Sequence, residues 1–243
     1  MKRPAFSSAL LAFIVGCILA AVAWGDLLPF PGGKGSRPIP PGQRVQDLDL
    51  NKTPVSMRQA RVDVVLKRRS ADLVATVEAE FKMVCSEAGK PSTTFETAMP
   101  VVEGGSVASY RLIYLKIDGK PVPADQIRKT TWTASSGQKV YQGFVWPTTM
   151  RRGAEQSVSI AYELRRRPNP QGRWHFTYIL SSGAEWFGPI GHETVHIRPE
   201  KGLQMQPASS SLRPRREADG SILWEIDNDK PQGDVIVEIM PVS

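Results

Sequence analysis

A chain of 243 residues with 41% hydrophobic and 23% charged content can close a core without disulfides or a structural metal, and its composition excludes wholesale disorder. Its 31 Lys plus Arg against 24 Asp plus Glu give a formal charge of +7, which admits an anionic partner. Two cysteines are too few for a disulfide framework.

Met1 to Gly25 reads as an export signal. Lys2 and Arg3 supply a positive start, and Ala9 to Ala23 supply an apolar run shorter than the ~20 residues a spanning helix needs. Small residues at Ala21, Ala23 and Gly25 offer cleavage before Trp24 or Asp26. Two alternatives are a retained anchor and lipidation, because Ile14-Val15-Gly16-Cys17 has the form of a bacterial lipobox. Against lipidation, apolar residues from Ile18 to Trp24 follow Cys17 where such proteins turn polar. Cleavage leaves Cys85 as a single thiol and 29 basic residues against 24 acidic, a balance of +5. Export argues against a nucleic-acid partner and favours an anionic envelope component or another envelope protein.

Residues 26–55 form an expected tether, since Pro29 to Gly42 is too rich in Pro and Gly for a helix or central strand. Beyond it the apolar period is two. Val62, Val64 and Leu66 alternate in Arg61 to Leu66. In Ala71 to Cys85 the residues Leu73, Ala75, Val77, Ala79, Phe81 and Met83 share one face, while Thr76, Glu78, Glu80 and Lys82 share the other. Further strands are predicted over Ser106 to Ile117, Lys129 to Ala134, Lys139 to Trp146, Ser157 to Leu164 and Trp174 to Leu180. Glu193 to Ile197, Ser221 to Ile226 and Asp234 to Met240 complete the set. Turn signals separate them at Asp118-Gly119, Ser135-Ser136-Gly137, Arg152-Gly153, Asn169 to Gly172 and Asp219-Gly220. No stretch forms an amphipathic helix of three turns. The predicted fold is all-β: an antiparallel β-sandwich, single or as two subdomains in tandem, residues 56–167 and 168–243.

The most distinctive segment is Tyr178-Ile-Leu-Ser-Ser-Gly-Ala-Glu-Trp-Phe-Gly-Pro-Ile-Gly191. With the order of the strands around it, it resembles a family of exported bacterial proteins classed as a domain of unknown function (number 4424). The resemblance runs from about Met57 to the C-terminus, and its specific motif is the Trp186 to Gly191 block. It implies a secreted or periplasmic β-rich module and brings no reaction, cofactor or partner. Physically, Gly188, Pro189 and Gly191 suit a tight, stiff connection between strands, and Trp186 and Phe187 either plug the sandwich end or form a contact platform.

His192-Glu193-Thr194-Val195-His196 matches H-E-x-x-H, in which a helix presents two imidazoles to one zinc and the Glu acts as general base. The surroundings oppose a helix: Pro189 and Gly191 precede it, Thr194 and Val195 are β-branched, and Pro199 follows. On a strand the two His would share a face ~13 Å apart, too far for one ion with zinc–nitrogen bonds of ~2 Å. Ser136-Gly137-Gln138-Lys139 fits S-x-x-K but sits in a turn without its partner motifs. Cys85 reads as a small buried hydrophobe, His175 as a surface strand residue, and the Glu78 and Glu80 carboxylates as neighbours on a wet face.

Basic runs occur at Lys67-Arg68-Arg69, Arg151-Arg152, Arg165-Arg166-Arg167 and Arg213 to Arg216, each at a predicted turn or strand end. They are solvated loop ends, or several gather at one end of the sandwich as an anion-binding surface. The expected protein is therefore an exported, non-enzymatic binding or structural module of the bacterial envelope that uses no cofactor. Its candidate contact residues are Trp186, Phe187, Arg165, Arg166 and Arg167. Membrane contact would come through an uncleaved signal or a lipidated Cys17. The alternative is a zinc-dependent hydrolase with His192 and His196 as ligands and Glu193 as base.

Overall fold

The structure, a computed structural model, describes residues 28–30, 55–85, 92–103, 108–133, 140–180, 188–209, 212–231 and 233–242. The export signal with Cys17, most of the tether, the Ser135–Gly137 turn, and Trp186 and Phe187 lie outside the described residues. Regular structure among the described residues is β1 (Leu28–Phe30), β2 (Val55–Arg69), β3 (Asp72–Cys85), β4 (Ser92–Glu103), β5 (Ala108–Ile117), β6 (Lys120–Pro121), β7 (Arg128–Thr133) and β8 (Val140–Arg151). There follow β9 (Glu155–Arg166), β10 (Trp174–Tyr178), β11 (Ile190–Pro199), β12 (Leu203–Ser209), β13 (Arg215–Arg216), β14 (Ile222–Asp229) and β15 (Val235–Pro241). No α-helix occurs among them, and the 3-10 turn at Ala124–Gln126 is short, so the all-β prediction holds.

Strand β3 illustrates how the sequence becomes a layer. Its apolar positions Leu73, Ala75, Val77, Ala79, Phe81 and Met83 are all buried, and Glu78, Glu80 and Lys82 are exposed. The side-chain period of two produces this division only if the neighbouring strands keep register. They do: Val77 lies opposite Val64 of β2 and Tyr162 of β9, and Phe81 opposite Ala60 and Val158. The same division continues across an eight-stranded sheet in the order β13-β14-β11-β2-β3-β9-β5-β6.

Two smaller sheets, β1-β4-β8-β7 and β10-β15-β12, cover the apolar face of the large one. Phe144 of β8 meets Tyr110 of β5 edge-on at 5.4 Å and Tyr162 of β9 at 6.3 Å between ring centroids. Tyr178 of β10 reaches Glu193 of β11. One contiguous hydrophobic cluster, from Val55 to Ile239, fills the space between the layers. The opposite face of the large sheet is left to water.

Three features depart from the sequence reading. First, β11 pairs with β2 in parallel, Val195 opposite Val62, so the large sheet is antiparallel except at this central seam. The seam joins strands more than 120 residues apart, and no local pattern encodes such a partnership. It also carries one sheet across the 167/168 division of the sequence. Second, Leu28–Phe30, inside the expected tether, forms an edge strand paired with Glu96–Ala98. An edge position tolerates Pro29 because proline's missing N–H can face away from the ladder. Third, β4 and β12 were not predicted. Register shifts at Pro100 and after Pro207 break the alternation that would have marked them.

The predicted turns inside the described residues are formed. Asp118 and Gly119 both have positive φ (49° and 75°), the conformation of a two-residue hairpin turn between β5 and β6. Asn169 Oδ1 accepts hydrogen bonds from the Gln171 and Arg173 amides, and Asp219 Oδ1 accepts one from Ser221.

Candidate functional site

The H-E-x-x-H segment lies on β11, and strand alternation divides it between two environments. His192 and His196 face the wet side of the large sheet, and Glu193 points inward, fully buried, with Tyr178 Oη donating to its Oε1 at 3.5 Å. His192 shares a 2.6 Å hydrogen bond with Asp227 of β14. His196 sits between Asp63 of β2 (Nδ1 to Oδ1, 3.7 Å) and Glu217 (Nε2 to Oε2, 3.4 Å). The two imidazoles thus engage different carboxylates, and the sheet itself separates them from Glu193. This arrangement does not bring together the three groups of the helical zinc motif. Among the described residues no group of three or more His, Cys, Asp or Glu is arranged to hold a metal ion.

Asp63 is the centre of an ion-pair lattice on that wet face. It accepts from Arg61 Nε at 2.9 Å and from Arg198 Nη2 at 3.3 Å, and Arg215 spans Glu217 and Glu225 at 3.6 and 3.7 Å. Each arginine of this lattice has a carboxylate, so the lattice carries no unpaired cation to offer a ligand. Pairs of this exposure contribute about 0–1 kcal/mol each.

The basic end of the sandwich is different. Register places Arg68 of β2 opposite Leu73 of β3, and Leu73 opposite Arg166 of β9. One position further in, Lys67 lies opposite Val74 and Val74 opposite Arg165. The runs Lys67-Arg68-Arg69 and Arg165-Arg166-Arg167 therefore meet at one end of the large sheet, separated only by the first residues of β3. The other runs do not join them. Arg151-Arg152 caps the opposite end at the β8–β9 connection, and Arg215 and Arg216 lie along the β13 edge.

Alternation splits the gathered residues as well. Lys67 and Arg165 flank Val74 on the outer face, and Val74 is buried despite facing outward (6% exposed), consistent with cover from their aliphatic stems. Arg68 and Arg166 share the inner face with Leu73 and reach over β10. The Arg68 guanidinium lies 6.0 Å from the centroid of Trp174, and Arg166 Nη1 donates to the His175 carbonyl at 2.7 Å. Arg166 is thus not a surface residue like Arg165 and Arg167, as the sequence reading had it. It is half-buried, and desolvation pulls its guanidinium down to about 10. His175 itself occupies the predicted strand, but its backbone, not its imidazole, takes part.

The Gly-Pro block connects into β11 as expected. Gly188 has φ +77°, and a Cβ on Gly191 would stand 2.5 Å from the Arg58 carbonyl oxygen. Gly191 is required by the close approach of β2 at its register shift between Met57 and Gln59. The basic runs are legible in the sequence but their inward partner Trp174 is not, because nothing in Arg173-Trp174-His175 says which strand end it will cover.

No protein-family model matches the chain, and no curated protein matches it in sequence. Among solved structures, a protein of Legionella pneumophila, provisionally described as nutrient binding, superposes with a TM-score of 0.63 at 15% identity. The alignment covers 90% of this chain and 71% of that one. This similarity establishes a common fold. A Parabacteroides distasonis protein, provisionally described as a protease, gives 0.42 at 10% identity over 76% of this chain and 40% of its own. An M1 zinc metallopeptidase of Deinococcus radiodurans gives 0.38 at 12% identity over 76% and 42%. Scores at that level carry no functional argument. No helix among the described residues is long and apolar enough to cross a membrane.

Proposed function

We propose that this chain is an exported, non-catalytic β-sandwich module of the bacterial cell envelope, akin to the exported family of unknown function that its Tyr178 to Gly191 segment resembles. It binds an anionic envelope component through the end of the sandwich formed by Lys67–Arg69 and Arg165–Arg167. The observation that carries this reading is the register: two basic runs nearly 100 residues apart in sequence become neighbours, one strand apart. The ion-pair lattice around Asp63 contrasts with it, since there Arg61, Arg198 and Arg215 each meet a carboxylate, whereas at the basic end only Arg69, with Glu200, does so among the described residues. Support for a binding role comes also from the fold shared with the Legionella protein described as nutrient binding.

The test is co-sedimentation with vesicles containing an anionic phospholipid at low salt. Lys67→Glu, Arg165→Glu and Arg167→Glu combined leave Arg166 and its carbonyl bond in place. Each basic residue near such a surface contributes about 1 kcal/mol, so the triple reversal should lower the partition coefficient by roughly a hundredfold or more. Equal sedimentation of wild type and variant would remove the basic end from the account. Intact mass of protein from the cell envelope tests export, with a mature N-terminus at Trp24 or Asp26 expected.

A further inference from the structure

We infer that Arg68 and Arg166, beside Trp174, form a subsite for a single oxyanion group, a carboxylate or a phosphate, at the mouth of the sandwich. The inference deepens the reading above by naming the group that the basic end recognises. It rests on an excess of donors. Arg166 has five N–H groups, of which one at Nη1 is used by the His175 carbonyl, and no carboxylate among the described residues pairs with it. Arg68 gives its Nε to the Ser70 carbonyl and holds no carboxylate either. Trp174 is buried (3% exposed), and its indole N–H has no acceptor. Two guanidiniums from two strands thus collect beside the Trp174 indole of a third, and no carboxylate among the described residues matches them.

Three nearby carboxylates are committed elsewhere. Glu238 takes Arg173 at 3.1 Å, Glu200 takes Arg69 at 3.2 Å, and Glu163 takes Arg111 at 3.2 Å. Partial burial of the Arg166 guanidinium disfavours its charge and pulls it down to about 10, a cost that an anion beside it would offset. Guanidinium matches carboxylate and phosphate geometry through paired N–H donors, so an oxyanion is the fitting guest. Exposed Arg68 leaves the site open to solvent on one side, which permits entry.

The full chain is titrated calorimetrically with inorganic phosphate and, separately, with acetate, against sodium chloride of matched ionic strength. Saturable binding of phosphate or acetate is expected, and the tighter of the two identifies the source of the group. Arg68→Gln and Trp174→Phe should each weaken it about tenfold or more, the scale of a lost hydrogen bond to a charged group. Arg166→Lys should do the same while keeping a donor for the His175 carbonyl. If that variant does not fold, the other two decide, because Arg68 is exposed and Phe retains the ring. Heats indistinguishable from the chloride control with both anions, or equal affinity in wild type, Arg68→Gln and Trp174→Phe, overturn the subsite. Vesicle and anion titrations fail separately. Vesicle adsorption without saturable anion binding removes the subsite alone, whereas anion binding without adsorption removes the envelope-surface reading and keeps the subsite.

Discussion

At the scale of single residues, alternation decides what each motif can do. His192 and His196 are four positions apart, as a zinc motif requires, yet on β11 they reach Asp227 and the Asp63–Glu217 pair while Glu193 enters the core. Replacing His192 or His196 by Ala should therefore change stability by no more than about 1 kcal/mol, the scale of an exposed ion pair, in urea unfolding. Zinc content of the purified protein should be the same in wild type and both variants. Gly191 is more demanding. Gly191→Ala forces a methyl to within 2.5 Å of a backbone oxygen, and the strand shift this requires should cost about 1–3 kcal/mol in the same assay. The glycine was legible in the sequence as a stiff connection; its actual constraint, the approach of Arg58 from a strand 130 residues earlier, was not.

At the scale of elements, the strands most readable in sequence are those with one wet and one dry face. Strands β3, β9 and β14 fit that description, and β4 and β12, with their prolines and register shifts, do not. The small sheet β10-β15-β12 has both edges closed by arginines from the large sheet: Arg166 on the His175 carbonyl and Arg216 on the Met205 carbonyl, each at 2.7 Å. Such bonds occupy edge acceptors that would otherwise template pairing with another chain. Between layers, Phe144 fills the gap between Tyr110 and Tyr162, so Phe144→Ala should destabilise by about 3–5 kcal/mol through the cavity it leaves. On the outer face, the hydrogen bond from Arg111 holds the Glu163 carboxyl below its usual 4.5. A folded-state value below the unfolded one contributes stability above the ordinary carboxylate range and loses it as pH falls through the lowered value. Thermal melts from neutrality down to about pH 3 should show a smaller acid loss in Glu163→Gln than in wild type.

At the scale of the whole molecule, the parallel β2–β11 seam makes the two sequence halves interdependent. Residues 168–243 alone keep β11 and β14 but lose β2, leaving Val195 and Ile197 without the neighbours they pack beside. Expressed alone, that fragment should lack the dispersed amide spectrum of a folded sandwich, and mixing it with the complementary fragment should restore it. Cys85, fully buried at the end of β3, should react with a thiol reagent only slowly until the protein is unfolded.

The sequence by itself determined the all-β class, the wet and dry faces of its regular strands and the turns that join them, because these depend on residues two to four positions apart. It also located the basic runs and placed His192-Glu193-x-x-His196 on a strand, since β-branched residues and prolines act locally. Only the tertiary structure decided which strands meet: the parallel seam, the edge strand inside the tether and the meeting of Arg68 with Arg166 at the start of β10. Those depend on pairings across 66 residues or more, fixed by the closing of one shared core rather than by any local preference.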